Sequence, residues 1–505
     1  MKNAMKVIMG SLVLLTSLIL LVSCGDDGDD SDVLNSITKY DTPKYVFYFI
    51  GDGMANPQVN LTEAALNDDD FRLAKPGDVG VGVLNLSTFP VIGMATTFAE
   101  DRYITGSAAA ATALACGKKT TIGTISQNGD HSQDFETMAE MAKAKGMKIG
   151  IISSVSIDHA TPACFYAHEP SRGNYNNIAA QMATSNFDYF AGGFAKGDFE
   201  KYRGRDPEGD PKDIIAEMQN AGYTITTTRA ELQATQPGQK VWAYTGYDGD
   251  AALYYELDRP SDHVSLAEFT AKGIELLHSK DGFFMMIEGG KIDWACHAND
   301  AVSAAHDLIA FDNAIGEALD FYNEHPKETL IIITGDHECG GLTLGFAATE
   351  YESAFALLKD QKISYQEFAV RVGNWADNGN VNFSTALDSM KYFFGLGNAN
   401  LNNALALSEY ETNRLKEAFN ESMSGDTDRD NEENFLKYGP YYDPFTITIT
   451  HILNQKAGID WTSYYHTGVP VPVYAMGQGQ YEFSGSYDNT DIAKKIIEIA
   501  ELASD

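Results

Sequence analysis

The sequence predicts an α/β fold: a three-layer α/β/α sandwich built on a central, mostly parallel sheet and carrying a mostly helical insertion. Three observations lead there. Uninterrupted apolar runs stand at residues 45–50, 283–287 and 330–333, and a strand that is apolar at every position belongs in a parallel sheet covered on both faces. Each run is followed by glycine and a carboxylate, as Gly51-Asp52-Gly53, Glu288-Gly289-Gly290 and Gly335-Asp336; that end of a strand is where open α/β sheets hold their ligands. Between the runs lie stretches with apolar residues at helical spacing, such as 301–322, which parallel strands need as crossovers.

The first 43 residues stand apart from that fold. Lys2 and Lys6 precede an apolar run over 7–22, long for a core strand and short for a membrane span. The run ends in Leu21-Val22-Ser23-Cys24, which resembles the lipobox of bacterial lipoproteins. That resemblance implies a signal peptide over 1–23, cleavage before Cys24 and lipidation of its thiol. Residues 24–43 begin as a Gly/Asp tether that cannot pack a core. The expected location is an outer membrane, on its periplasmic face or at the cell surface, held by a lipid anchor.

A first core segment is expected over 44–349. Asp52 ends the first strand between two glycines, a place that suits both a turn and a ligand. Residues 103–112 (YITGSAAAAT) predict a helix with Ser107 at the N-cap; a hydroxyl there lies at the positive end of the helix dipole, where an anion is stabilised. An amphipathic helix over 135–145 leads to a buried strand at 148–153. The segment after it is unusually polar and contains Asp158, His159, Thr161, His168 and Arg172, whose guanidinium can fork two phosphate oxygens. Residues 187–240 show one expected helix, at 211–220, and no evident chemistry.

The stretch 284–299 organises the rest. Beyond Gly289-Gly290, Asp293 and His297 stand four residues apart and so on one face of a helical turn. A carboxylate and an imidazole at that spacing can hold one divalent metal, while Glu288 is placed to hold another. The strand at 330–333 repeats the design, with His337 attached to Asp336. Cys296 and Cys339 lie beside these histidines but are read as small buried side chains rather than ligands. With Cys116 and Cys164 they show no metal-finger spacing, and their even number would permit disulfides in an exported protein.

Residues 350–440 read as the helical insertion, with Ser408 and Glu411 at capping-box spacing. Its acidic stretch at 426–434 is not a calcium loop, because Asn431 and Lys437 stand where the loop needs Gly and Glu. The core resumes over 441–505 with a helix at 445–456, His466 ahead of a last buried strand at 471–477, and a closing helix at 491–502.

Taken together, these strand-end groups, in this order, resemble the alkaline phosphatases over essentially the whole chain after the tether. The resemblance implies two zinc ions and a third metal, usually magnesium, around a serine nucleophile. Asp293, His297 and His466 would hold the first zinc; Asp52, Asp336 and His337 the second. Asp52 would also reach the third metal beside Thr161 and Glu288. Ser107 would be the nucleophile and Arg172 the phosphate clamp. Gly106 stands where some members have Asp, and His159 and Trp294 stand where one branch has Asp and Lys. The resemblance therefore implies an altered third site, with His159 and Trp294 as its neighbours. The implied activity is hydrolysis of phosphate monoesters, and a homodimer is an assembly that such enzymes often adopt.

Two other readings share parts of this pattern. A phosphodiesterase or sulfatase-like relative would use a similar sheet and metal layout, but no C/S-x-P-x-R motif surrounds Ser107. A non-catalytic metal- or glycan-binding lipoprotein would have no use for Ser107 and Arg172. The formal charge of −35 opposes binding to the nucleic-acid backbone.

Overall fold

The computed structural model describes residues 40–66, 84–202, 211–425 and 431–503. Its strands, in chain order, are β1 (Tyr45–Gly51), β2 (Val91–Thr96), β3 (Lys148–Ser153), β4 (Tyr189–Gly192), β5 (Tyr223–Thr226), β6 (Lys240–Tyr244), β7 (Phe283–Gly289), β8 (Thr329–Gly335), β9 (Glu338–Cys339), β10 (Leu342–Leu344), β11 (Ile459–Trp461), β12 (His466–Thr467), β13 (Val471–Gly477) and β14 (Gly485–Asp488). Ten of them form one sheet in the order β14-β2-β13-β8-β1-β7-β3-β4-β6-β5. Every adjacent pair is parallel except those that β13 makes with β2 and β8. With helices on its flanks, this is the predicted α/β architecture.

The central strands β1, β7 and β8 are buried at every residue, which explains their lack of polar alternation. Their side chains divide between two faces with a period of two. Phe47 and Phe49 meet Phe321 and Phe311 on helix Ala301–Glu324. Tyr48, between them, meets Phe165 instead. Phe165 follows the short helix Ala160–Ala163, which packs against helix Ser107–Cys116.

Register gathers the polar ends. Gly51 pairs with Gly289 on one side and Gly335 on the other, so the ends of β1, β7 and β8 form a single row. Asp52 and Asp336 come one residue after that row and Glu288 one before it. Close approach makes glycine necessary here: a Cβ on Gly335 would lie 1.8 Å from the Met54 carbonyl oxygen.

Several element boundaries differ from the expected ones, and caps explain them. The helix expected at 135–145 is Met138–Ala144, because Thr137 and Glu140 form a capping box that fixes its start. The helix expected at 211–220 begins at Ile214, after the Asp213 cap. The closing helix is Asn489–Ile499, started by Asp488. Residues 187–240 also contain β4 and β5, four-residue strands without the run length that marks β1. The strand at 471–477 is the last buried one, as expected, and the exposed to half-buried β14 follows it at the sheet edge.

The insertion builds its own apolar cluster. Phe368 and Met390 from its helices Tyr365–Asn378 and Phe383–Phe394, with Leu415 and Phe419 from Glu409–Ser424, pack on Phe445 and Ile449 of helix Pro444–Ala457. The expected capping box at Ser408 and Glu411 is present. Cys116, Cys164, Cys296 and Cys339 are buried free thiols, so the disulfides that the sequence permits are not formed. Among the described residues no helix is long and apolar enough to cross a membrane. The expected signal peptide, Cys24 and the tether as far as residue 39 lie outside the described residues, as do residues 426–430 of the acidic stretch.

One amide ties the insertion to the core. Gln361 Nε2 donates to both carboxylate oxygens of Asp300, at 2.9 and 3.0 Å, and Asp300 also caps helix Ala301–Glu324. Gln361→Ala leaves that buried carboxylate short of donors, and the expected loss is about 1–3 kcal/mol of unfolding free energy, measured by denaturant titration.

Candidate active site

The chain beyond the glycine row turns its polar groups into one buried region. Gly53, with φ +70°, lies where a Cβ would be 2.8 Å from Asp293 Cα, and its N–H donates to Asp336 Oδ1 at 3.1 Å. This glycine lets β1 and the helix Lys291–His297 approach closely enough to share ligands. Three groups of donor atoms result, each with all its atoms within 4.8 Å of one another: Asp293, His297, Cys339 and His466; Asp52, Asp336 and His337; and Asp52, His159 and Glu288.

In the first group the histidine tautomers follow from backbone contacts. His297 Nδ1 faces the Tyr464 carbonyl oxygen at 2.5 Å, and His466 Nδ1 faces that of Thr105 at 2.8 Å. A carbonyl only accepts, so both Nδ1 atoms carry the proton and both Nε2 atoms present lone pairs. Those Nε2 atoms stand 3.1 Å apart, and Asp293 faces them at 3.3 and 3.5 Å. Converging lone pairs with the opposite nitrogen fixed by a carbonyl are the arrangement of a metal site.

The second group touches Ser107. His337 Nε2 lies 3.4 Å from Asp52 Oδ1, 3.2 Å from Asp336 Oδ2 and 3.5 Å from Ser107 Oγ. Its ring stacks on His466 at 3.6 Å between centroids, so the first two groups adjoin. Ser107 is not the N-cap that the sequence suggested. Gly106 takes the cap with extended backbone, and Ser107 is the first helical residue, its hydroxyl directed at His337 rather than at the helix's own N–H groups.

The third group closes around Glu288, which hydrogen-bonds Ser153 Oγ. Thr161 is close enough to Glu288 to favour its ionised form. His159 Nε2 is 2.8 Å from Arg172 Nη2, which fixes the guanidinium beside the site. Trp294 meets the His159 ring edge-on at 5.8 Å and is itself approached by Lys291 and Lys196. Lys291 in turn forms a buried ion pair with Asp248 at 2.8 Å, joined by Gln366 of the insertion. Asp158 and His168, from the same polar segment, are directed elsewhere: Asp158 accepts from the N–H groups of Lys196 and Gly197, and His168 pairs with Glu140.

The electrostatics call for cations. Burial, then Asp336 and Asp293, push the Asp52 carboxyl well above its ordinary range. Burial and Asp293 do the same to Asp336, and Glu288, again chiefly through burial, is pushed up to about 7. Burial works against the charge of Asp293 too, yet His297 and His466 hold its carboxyl well below the usual range. Both oxygens of Asp52, Glu288 Oε1, Asp293 Oδ1 and Asp336 Oδ2 are buried without a hydrogen-bond partner. So many buried oxygens without donors fit divalent ions: nitrogen and carboxylate donors suit zinc, and an oxygen-rich site suits magnesium.

Comparison with known proteins decides the family. The alkaline phosphatase sequence profile matches residues 43–502. The chain belongs to the alkaline phosphatase family. Alkaline phosphatase 3 of Bacillus subtilis is 33% identical over 464 residues, covering 90% of this chain and 89% of that one. Alkaline phosphatase 4 of the same organism is 30% identical, covering 90% and 88%. A cold-active alkaline phosphatase from Shewanella superimposes with a TM-score of 0.72 at 27% identity, over 91% of this chain and all of that one. As a member of the alkaline phosphatase family, this enzyme is a phosphoric monoester hydrolase.

Sequence reasoning did not anticipate two parts of this alkaline phosphatase site. Glu338 is wholly buried and organises the turn after His337, accepting from Gln58 at 2.8 Å and from the N–H groups of Gly341 and Leu342. Cys339, two residues after His337 and read from the sequence as a small buried side chain, lies among the donor atoms of the first group. If divalent ions fill these groups, adding zinc to chelator-stripped protein should raise its thermal midpoint, with stabilisation of about 2.7 kcal/mol for each site held at a hundredfold excess over its dissociation constant. Calorimetry with and without added metal measures it.

Proposed function

We propose that this enzyme hydrolyses phosphate monoesters through a phosphoserine on Ser107, with zinc held by Asp293, His297 and His466 and by Asp52, Asp336 and His337. Asp52, Glu288 and Thr161 would hold a third ion, magnesium, with His159 beside them as a further donor. The observation that carries this reading is the position of Ser107 Oγ, 3.5 Å from a histidine that also faces Asp52 Oδ1 and Asp336 Oδ2, buried oxygens without a hydrogen-bond partner. Bound metals would neutralise phosphate charge, favour the ionised forms of the serine hydroxyl and of water, and stabilise charge on the departing oxygen.

The chain's own groups do the rest. Ser107 begins helix Ser107–Cys116, whose N-terminal N–H groups favour an anion at its hydroxyl. Ser107 gives up its hydroxyl proton to solvent and its Oγ attacks phosphorus; the new O–P bond forms as the bond to the alcohol oxygen breaks, and that oxygen takes up a proton from solvent as the alcohol leaves. Arg172 offers two N–H groups to equatorial phosphate oxygens, and His159 keeps that guanidinium in place through its 2.8 Å contact. Water then attacks the phosphoserine from the side the alcohol vacated, releasing phosphate and restoring Ser107.

Ser107→Ala should lower turnover of p-nitrophenyl phosphate by a factor of at least about a hundred while leaving metal content unchanged, since it removes the nucleophile and no ligand. Turnover within a few-fold of wild type would overturn the assignment of Ser107.

Residues 1–23 are proposed to direct export, with the lipid anchor on Cys24. The lipobox resemblance supports this. Cells fed labelled palmitate should label the wild-type protein, and Cys24→Ser should abolish the label; a label that persists would overturn the anchor.

A further inference from the structure

One donor in the first group has no part in the chemistry above. Cys339 is fully buried, and its Sγ lies within 4.8 Å of donor atoms from Asp293, His297 and His466. A short antiparallel ladder puts it there. Strand β9 pairs with β12 so that Cys339 is directly opposite His466 and Glu338 is opposite Thr467. Directly opposed residues project to the same face of a ladder, and successive residues to opposite faces. The pairing that delivers His466 to the first group therefore delivers Cys339 with it, while Glu338 turns away to Gln58 and Thr467.

The remaining contacts leave the sulfur free for a metal. Its hydrogen bond in the structure is a long one, 3.6 Å to the Asp293 carbonyl oxygen. Asp293 Oδ1, in the same group, is buried without a hydrogen-bond partner, although Asp293 as a whole is only 3% exposed. Cys296 makes a useful contrast. It is next to His297 in sequence and equally buried, yet it is not among the gathered donors.

We propose that Cys339 is a protein ligand of the first metal, making that site an Asp-His-His-Cys set. The proposal rests on the reading of Asp293, His297 and His466 as a metal site. As the metal–sulfur bond forms, the thiol gives up its proton to solvent, because a divalent ion deprotonates a coordinating thiol. Zinc accommodates a fifth ligand during reaction, so four protein donors still leave room for substrate oxygen. A thiolate also biases the site toward softer ions such as zinc or cobalt and away from magnesium.

The test is spectroscopic. The full-length enzyme is stripped of metal and loaded with cobalt(II). The expected result is a thiolate-to-cobalt charge-transfer band in the near ultraviolet alongside the visible ligand-field bands. Cys339→Ser should lose the former and keep the latter, and should release zinc to a chelator about 10- to 100-fold more readily, at least the scale of losing a supporting contact around a metal. Zinc-edge X-ray absorption of the wild type, which needs no variant, should show a sulfur neighbour at about 2.3 Å. A cobalt-loaded wild type with visible bands but no charge-transfer band, or a charge-transfer band that survives in Cys339→Ser, overturns the proposal. Turnover of p-nitrophenyl phosphate by the same cobalt-loaded sample separates the two levels: turnover without a sulfur signature leaves the phosphatase reading intact and removes only the thiolate. Absence of both metal uptake and turnover removes both.

Discussion

Mutual repulsion among Asp52, Glu288, Asp293 and Asp336 is the constraint around which this fold is arranged. All four are essentially inaccessible to water, and burial disfavours the charge on each. Water cannot screen them there, so positive charge has to come from within the site. The Arg172 guanidinium supplies part of it, and the gathered donor groups are placed for divalent ions to supply the remainder. The parallel sheet makes the gathering unavoidable. Once Gly51, Gly289 and Gly335 are held in one row by register, the carboxylates next to them have nowhere else to go.

The sheet centre and the donor sets were legible in the sequence for related reasons. A strand buried on both faces has no polar position, so 45–50, 283–287 and 330–333 announce themselves, and the first polar residues after them are necessarily at the strand ends. Asp293 and His297 were legible because four residues is one turn of helix. What stayed hidden depended on contacts distant in sequence. That Gly106 rather than Ser107 caps its helix depends on the hydroxyl finding His337, 230 residues away. Cys339 joins the first donor group through a two-residue ladder with β12, too short to leave a periodic pattern. Strands β4 and β5 are similarly brief, and β2, next to the edge strand β14, alternates buried positions with exposed or half-buried ones.

The insertion is more closely tied to the helix that carries Asp293 and His297 than its sequence suggests. Gln366 joins the buried pair of Lys291 and Asp248 at the start of that helix, and Gln361 holds Asp300 just beyond its end. Asn299, between His297 and Asp300, adopts a left-handed φ of 51° and binds the Ser463 carbonyl oxygen and His451. The helix carrying Asp293 and His297 is thus held at both ends by segments that come much later in the chain, and its geometry depends on their docking.

The ladder between β9 and β12 has a temporal consequence as well as a spatial one. His466 reaches its place by accepting a position against the Thr105 carbonyl oxygen, 361 residues earlier, and beside His297, 169 residues earlier. While the chain is still being synthesised, Asp293 and His297 are present for a long interval with no His466 to complete the set. The second donor group, by contrast, lies wholly within residues made by position 337. The second group can therefore be assembled earlier in synthesis than the first, which needs the chain as far as His466 and the pairing of β12 with β9.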